Sequence, residues 1–536
     1  MRQQWFCAAR TLLIAAFVFG LSVSAFAQVP AAPAGALTAQ APLAGPVRPL
    51  SIEEAVKLAL ENNLGLKVER INPELQEWSI TQAKTVWTPN LTASVTNTSR
   101  VSPITNAFAG ATGQLTNQNI SSNVGANQLL PTGGNYTVTW DTSRGKSNSV
   151  FDSPNPSLVS NLRFNFNQPL WRNFKIDGAR QQLRVSQVNR DLSDVALRQT
   201  VLVTIRNVKY AYWDVKAAVA AMAVAQQSLD LARESLRNNR SRVEIGTMAP
   251  IDVVSAEAEV ARREEALIRA ESAVRRTEDR LRTLILDSTA KEFWNVGFEL
   301  TEQPVFDPRP IDLDGAVKAA LEKRTDLQQA RKSIELTESS VLYLRNQVLP
   351  DVNAVVGYGL TGQGGTTKIF GPGFPPVEVS RTTGGFGTVM SRLFGNDFHN
   401  WSLSVQVSYP IGTSNAEVNL ARTRLQVSQA RIQLQNQELQ VVTSVRDIAR
   451  NLDTNQKRLA ATQAARRLAE RQLDAEQKKF AAGMSTNFFV FQAQRDLADA
   501  RYNELSALLD YNRSLVDFET VQEAPTAGGA TVAIGG

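Results

Sequence analysis

One block of this 536-residue chain is written twice. Ala55-Val56-Lys57, with Ala59-Leu60-Glu61 behind it, returns as Ala316-Val317-Lys318 with Ala320-Leu321-Glu322, and the same spacing carries Pro89 onto Pro350. A repeat of that length marks a duplicated structural unit. Each copy keeps one order: a helical pattern, a proline, Gly/Ser/Asn-rich sequence with alternating stretches, a second proline, a very long helix and a shorter one. Any fold must therefore accommodate two similar halves, 51–310 and 311–520.

What precedes the first half reads as targeting sequence. Arg2 and Arg10 form a basic start, Thr11 to Ser24 are mostly apolar, and Ala25-Phe26-Ala27 offers a small-x-small cleavage site, so 1–27 is expected to be a secretory signal peptide. Cys7 leaves with it. The mature chain then has no cysteine, which excludes disulfides, thiolate metal sites and cysteine nucleophiles. Residues 28–50 are Ala/Pro-rich and almost uncharged, the composition of a semi-extended linker. The Gly/Ala-rich stretch 521–536 reads as a flexible tail, and 287–312 is assigned no element.

Nowhere after the signal do about 20 consecutive apolar residues occur, so a membrane could be crossed only by a barrel. The formal charge of +6 is mild and its acids and bases are interspersed, which gives no footprint for a nucleic-acid partner.

From Ser51 the pattern is helical, with Ser51 as cap, Glu54 three residues on, and Ala55, Leu58 and Ala59 opening an apolar stripe. The helix should stop near Trp87, because Pro89 disfavours helical geometry before it. Beyond Pro89 the period becomes two: Leu91, Ala93 and Val95 in the first half, and Val352, Ala354, Val356, Tyr358 and Leu360 after Pro350 in the second. Returning strands are expected at Leu162, Phe164 and Phe166 before Pro169, and at Trp401, Leu403, Val405, Val407 and Tyr409 before Pro410. Trp87, Trp171, Trp401 and Tyr409 could form an interfacial girdle at the strand ends. Alternation alone equally fits a half-buried soluble sheet. Between the strand pairs, 97–160 and 361–400 read as surface loops, the first with room for an extra hairpin at Tyr136, Val138 and Trp140. Gly357, Gly359 and Gly362 spell GxGxxG, but no helix opens after them, so no dinucleotide site is expected.

After each second proline, from about Gly178 to Ile245 and from about Ser414 to Ala482, runs a proline-free helical pattern of roughly 70 residues, about 100 Å long. Ile205, Val208, Tyr212, Val215, Val219 and Met222 step by three and four like a coiled-coil seam. Each rod ends at a glycine and turns into another helix. Gly246 leads through Thr247, Met248 and Pro250 to Asp252; Gly483 leads through Met484, Ser485 and Thr486 to Phe488 and Phe489.

This order resembles the TolC-like outer-membrane factors over nearly all the chain after the linker. The most specific local match is the pair of turns, Gly246 leading to Asp252-Val253-Val254-Ser255-Ala256 and Gly483 to Phe489-Val490-Phe491-Gln492-Ala493. The resemblance implies a mixed α/β membrane protein, mostly a long α-helical coiled-coil barrel. It implies a homotrimer in which each protomer gives four strands to one shared β-barrel. It places the strands in outer-membrane lipid and the helices in the periplasm, with a membrane-fusion adaptor engaging the turns and an inner-membrane transporter delivering cargo for efflux or type I secretion. Adaptor contact then falls on Gly246, Thr247, Met248, Pro250, Gly483, Met484, Ser485 and Thr486. Asp252, Phe488, Phe489 and Gln492 are candidates for the tunnel mouth, and Pro89, Pro169, Pro350 and Pro410 mark strand–helix junctions. The family's acidic ring in the second turn is missing, since Phe489 and Gln492 stand at those positions.

Catalysis is not expected, nor is any metal or other cofactor. The single histidine, His399, falls in an expected loop, and Glu264/Glu265 and Asp191/Asp194 read as solvated helix faces. The competing function is a periplasmic coiled-coil adaptor or structural protein without a barrel. It shares the rods but not the four alternating segments inside a duplication.

Overall fold

The computed structural model describes residues 47–103, 113–149, 152–287, 289, 293–302, 310–372 and 377–526. The signal segment, most of the expected linker and residues 527–536 of the expected tail lie outside them.

Two short helices open each half. Ser51 caps α1 (Ile52–Asn62) by accepting the Glu54 N–H at 3.1 Å, and α2 (Leu64–Lys84) follows, closed by a 3-10 turn at Thr85–Trp87. The single helix expected up to Trp87 is thus broken at Asn63. The Asn63 amide oxygen accepts the Leu66 N–H at 3.1 Å, so a residue that competes for backbone bonds ends one helix and caps the next. In the second half α5 (Leu313–Lys323) and α6 (Thr325–Gln347) repeat the arrangement, broken at Arg324.

The long helices α3 (Gly178–Glu244) and α8 (Asn415–Ala481) contain 67 residues each, about 100 Å at 1.5 Å per residue. Asp177 caps α3 through the Arg180 N–H, and Ser414 with Glu417 forms a capping box on α8. Helices α4 (Pro250–Ile285) and α9 (Asn487–Val521) return along them. The twice-written alanines explain themselves here. Ala55 and Ala59 are buried against Val208, Ala211, Tyr212 and Val215 of α3, while Ala316 and Ala320 are buried in a cluster with Val441 and Val445 of α8. A larger side chain would hold each short helix off its rod. The α3 seam is less continuous than its spacing suggests: Val208, Tyr212 and Val215 are buried, but Val219 is 40 % exposed.

Four residues expected in the linker are instead a strand. β1 (Val47–Leu50) pairs in parallel with β6 (Gly297–Leu300), inside the stretch given no element. Leu50 is fully buried, and its carbonyl accepts the Tyr212 hydroxyl at 3.1 Å. At the other end the chain stays held past Val521: the Glu523 carbonyl accepts the Thr325 N–H at 3.0 Å, and Ala524 is fully buried.

The large sheet corrects the strand count. In order it comprises β2 (Asn90–Pro103), β3 (Gln114–Leu129), β4 (Asn135–Ser147), β5 (Ser157–Pro169) and β7 (Asp351–Phe370), with β9 (Phe398–Ser408) beside the first half of β7 and the short β8 (Glu378–Gly384) beside its end. All neighbours are antiparallel. Six long strands stand where four were expected, with room for a further hairpin at Tyr136, Val138 and Trp140: β4 contains those three residues, and most of the supposed loop 97–160 is β3, β4 and the far half of β2. Asn, Gln, Ser and Thr dominate β3, so its thin apolar face hides the period. The second supposed loop holds the rest of β7, β8 and α7 (Phe386–Phe394), and His399 lies in β9. Gly357, Gly359 and Gly362 lie within β7, not at a phosphate loop.

Candidate functional site

The register divides the sheet into two chemically different faces. One row runs Leu91, Ala126, Val138, Phe164, Tyr358, Trp401 across β2, β3, β4, β5, β7 and β9, each directly opposite the next. The next row on that face runs Ala93, Val124, Trp140, Leu162, Leu360 and His399. On the other face the rows read Asn90, Asn127, Thr137, Asn165, Gly357, Ser402 and Thr92, Gly125, Thr139, Arg163, Gly359, Asn400. Arg163 pairs with Asp141 at 3.5 Å there, and Asn161 donates to Asp141 at 2.7 Å. A two-faced sheet with charges on one side and exposed Leu91, Trp401, Leu403, Val405 and Val407 on the other separates water from an apolar medium.

Among the described residues the sheet's two outer edges, β2 on one side and β9 with the short β8 on the other, have no further strand beside them. Pro89 and Pro350 each stand one residue before a strand, Pro169 is the last residue of β5, and Pro410 follows β9 by two. Trp171 and Tyr409 are exposed at the helix end of the strands, whereas Trp401 stands well inside β9, facing Tyr358. The girdle read from sequence therefore spans two levels.

The helical hairpins turn at Gly246 and Gly483, whose φ values of 76° and 75° are left-handed. Thr247 N–H reaches the Arg242 carbonyl at 2.8 Å and Met484 N–H the Lys479 carbonyl at 2.9 Å, the same helix stop in both halves. Pro250 is the first residue of α4 and Asp252 stands in its first turn, half-buried. In the second turn Met484, Phe488 and Phe489 are exposed, the two phenylalanine rings meeting edge-on at 5.6 Å, while Phe491 is buried. Ser485 donates to Glu476, and Gln492 to Asp496 at 2.9 Å. Thr486 precedes α9 as an extended residue and is exposed.

Just inside the turns lies a group that sequence reasoning missed. Glu259 on α4, almost wholly buried, meets Arg262 and Arg263 at 2.9 Å and Arg495 of α9 at 3.1 Å. Burial alone would raise its carboxyl pKa, but Arg263, Arg495 and Arg262 together outweigh it and hold it below the usual carboxylate range. The signal available in sequence was Arg262 and Arg263 one helical turn away; Arg495 comes from the other half. The link between halves continues along α3 and α9: Lys209 to Glu519 at 2.9 Å, Arg206 to Asp517 at 2.7 Å, and Arg513 to Asp214. Burial, with Asp517 nearby, pushes the Tyr210 phenol up to about 12, so it stays neutral beside Arg206.

The carboxylates singled out in sequence have partners on the helix faces. Glu264 pairs with Arg233 at 2.8 Å, Asp191 with Lys332 at 3.1 Å, Asp194 with Arg190 at 3.2 Å, and Glu265 with Arg269. Among the described residues no group of three His, Cys, Asp or Glu is placed to hold a metal, and no helix is long and apolar enough to cross a membrane.

A two-faced antiparallel sheet joined to paired helical rods is built to meet an apolar medium on one face of the sheet and water on the other. The family model described as outer membrane efflux protein matches residues 137–285 and 316–521, and the chain belongs to that family, which places it in the outer membrane. Outer membrane protein TolC of Escherichia coli K12 is 23 % identical over 332 residues, covering 60 % of this chain and 63 % of that protein. The chain thus matches under two thirds of that relative's length. Among solved structures, CusC superposes with a TM-score of 0.63 at 14 % identity over 93 % of this chain and 99 % of CusC. Campylobacter jejuni CmeC gives 0.60 at 14 % identity over 88 % and 85 %. These structures share the fold.

Proposed function

We propose that the chain is one protomer of a homotrimeric outer-membrane channel that passively exports cargo. An inner-membrane transporter delivers that cargo, and a periplasmic membrane-fusion adaptor docks on the hairpin turns. One observation carries the reading: a sheet apolar on one face and charged on the other, ending in two bare edges. Hydrocarbon does not tolerate unpaired strand edges, so these must meet edges of other copies. The 67-residue helices then extend the conduit about 100 Å from the barrel. The adaptor would meet Gly246, Thr247, Met248 and Pro250 in one turn and Gly483, Met484, Ser485 and Thr486 in the other. Asp252, Phe488, Phe489 and Gln492 would border the mouth, apolar rather than acidic in the second turn. Nothing in this role needs a cofactor. An adaptor or filament without a barrel would have no use for the two-faced sheet.

The test is purification from the outer-membrane fraction followed by reconstitution into planar bilayers. A trimer that survives SDS without heating and passes ion current is expected. Protein that stays dispersed as a monomer without detergent and carries no current overturns the proposal.

A further inference from the structure

We infer that each copy lends six strands, rather than four, to the lipid-embedded wall. Three copies then close an eighteen-strand barrel with a lumen wider than twelve strands enclose. The inference rests on the channel reading and concerns the β3–β4 hairpin.

That hairpin lies between β2 and β5, in the middle of the sheet order. It cannot stand above the membrane as a loop without tearing β2 from β5. Its residues also obey the division of faces found in the other four strands. Ala126 and Val138 continue the apolar row from Leu91 to Phe164, and Val124 and Trp140 continue the one from Ala93 to Leu162. On the opposite face Asn127 and Thr137 join Asn90 to Asn165, and Asp141 supplies the partner of Arg163. An ion pair placed toward lipid would be costly, so this side of β4 belongs to water. The apolar band has a defined upper limit. Helix α7 buries Val389 and Leu393 over the same face, where a side chain on Gly362 would start 2.2 Å from the Val389 carbonyl oxygen.

Closure supports the count. Five successive antiparallel steps from β2 to β9 leave the two edge strands running in opposite directions, so β9 of one copy can meet β2 of the next as a further antiparallel pair. Barrel diameter grows roughly linearly with strand number, so eighteen strands give about 1.5 times the diameter of twelve and about twice the cross-section.

The mature chain's expected lack of cysteine allows single-site spin labels in liposomes. Thr137→Cys, Val138→Cys and Thr139→Cys report on β4, and Ser402→Cys, Leu403→Cys and Ser404→Cys on β9. Relaxation by oxygen, which concentrates in lipid, is compared with relaxation by a water-soluble nickel chelate. Oxygen should dominate at Val138 and Leu403 and nickel at their neighbours, with severalfold differences. If β9 alternates but all three β4 sites favour nickel, the hairpin is outside the wall and the inference falls while the channel stands. If neither alternates, the channel reading falls with it. A second variant lacking residues 104–151 leaves β2 antiparallel to β5. The size cutoff for polyethylene glycols entering from the outer side should shrink by about a third; an unchanged cutoff overturns the inference. Should that variant fail to assemble, the label pattern alone decides.

Discussion

Glu259 concentrates three cations on one buried carboxylate, and the balance of charge there is easily upset. Replacing it in Glu259→Gln leaves Arg263 and Arg495 facing a neutral group. Because both arginines keep some contact with water, the expected loss is about 2 kcal/mol, less than the roughly 3–5 kcal/mol for breaking a fully buried pair. Thermal unfolding of the detergent-solubilised protein should show it as a lower midpoint. The acid side follows from the same group. Its folded pKa is depressed, so its contribution is complete above the ordinary glutamate value of about 4.3 and is lost as pH falls through the lower folded value. Hydrogen exchange at the ends of α4 and α9 should therefore be insensitive to pH between about 7 and 5 and accelerate only in stronger acid. In Glu259→Gln that acid-dependent increase should be reduced.

The short helices depend on their alanines. Ala320→Leu forces a branched side chain into the α5–α8 contact, where Ala320 is fully buried, and overpacking of that kind costs about 1–3 kcal/mol. Val317, which is only half-buried one helical turn from Ala320, should accept leucine with little change in melting temperature, and the pair of variants separates local crowding from helix propensity. Elements differed in how openly the sequence declared them. The rods were legible almost to the residue, because 67 residues without proline, ended by glycine, admit one local structure. The glycine turns were legible for the same reason. Strand β9 was readable from Trp401 on through strict alternation, but β3 was not: its polar residues on the water face stand opposite a face on which Gln118, Ser122, Ala126 and Gln128 leave little contrast. The four-residue β1 and β6 were too short to show a period, and only a partner some 250 positions away makes either a strand. Around the candidate site, the positions of the two turns could be read in advance from Gly246 and Gly483, whereas the contact of Glu259 with Arg495 in the other half could not.

For the whole protein, the direction of each strand residue relative to lipid sets what can be changed. Leu403→Arg puts a guanidinium on the apolar face and should cost on the order of 2–4 kcal/mol near the middle of the membrane. Ser402→Arg, one position away on the polar face, should assemble normally and alter only ion selectivity. The yield of SDS-resistant oligomer, with reversal potentials in a salt gradient, checks both. Each half keeps its own knot of buried aliphatic and aromatic side chains, around Tyr212 in one and Val445 in the other. Where α3 meets α9, ion pairs such as Lys209 with Glu519 and Arg206 with Asp517 contribute a polar seam. Paired charges are screened by salt and packed aliphatics are not, so the ion-pair share of the contact between the halves is the part that brine weakens.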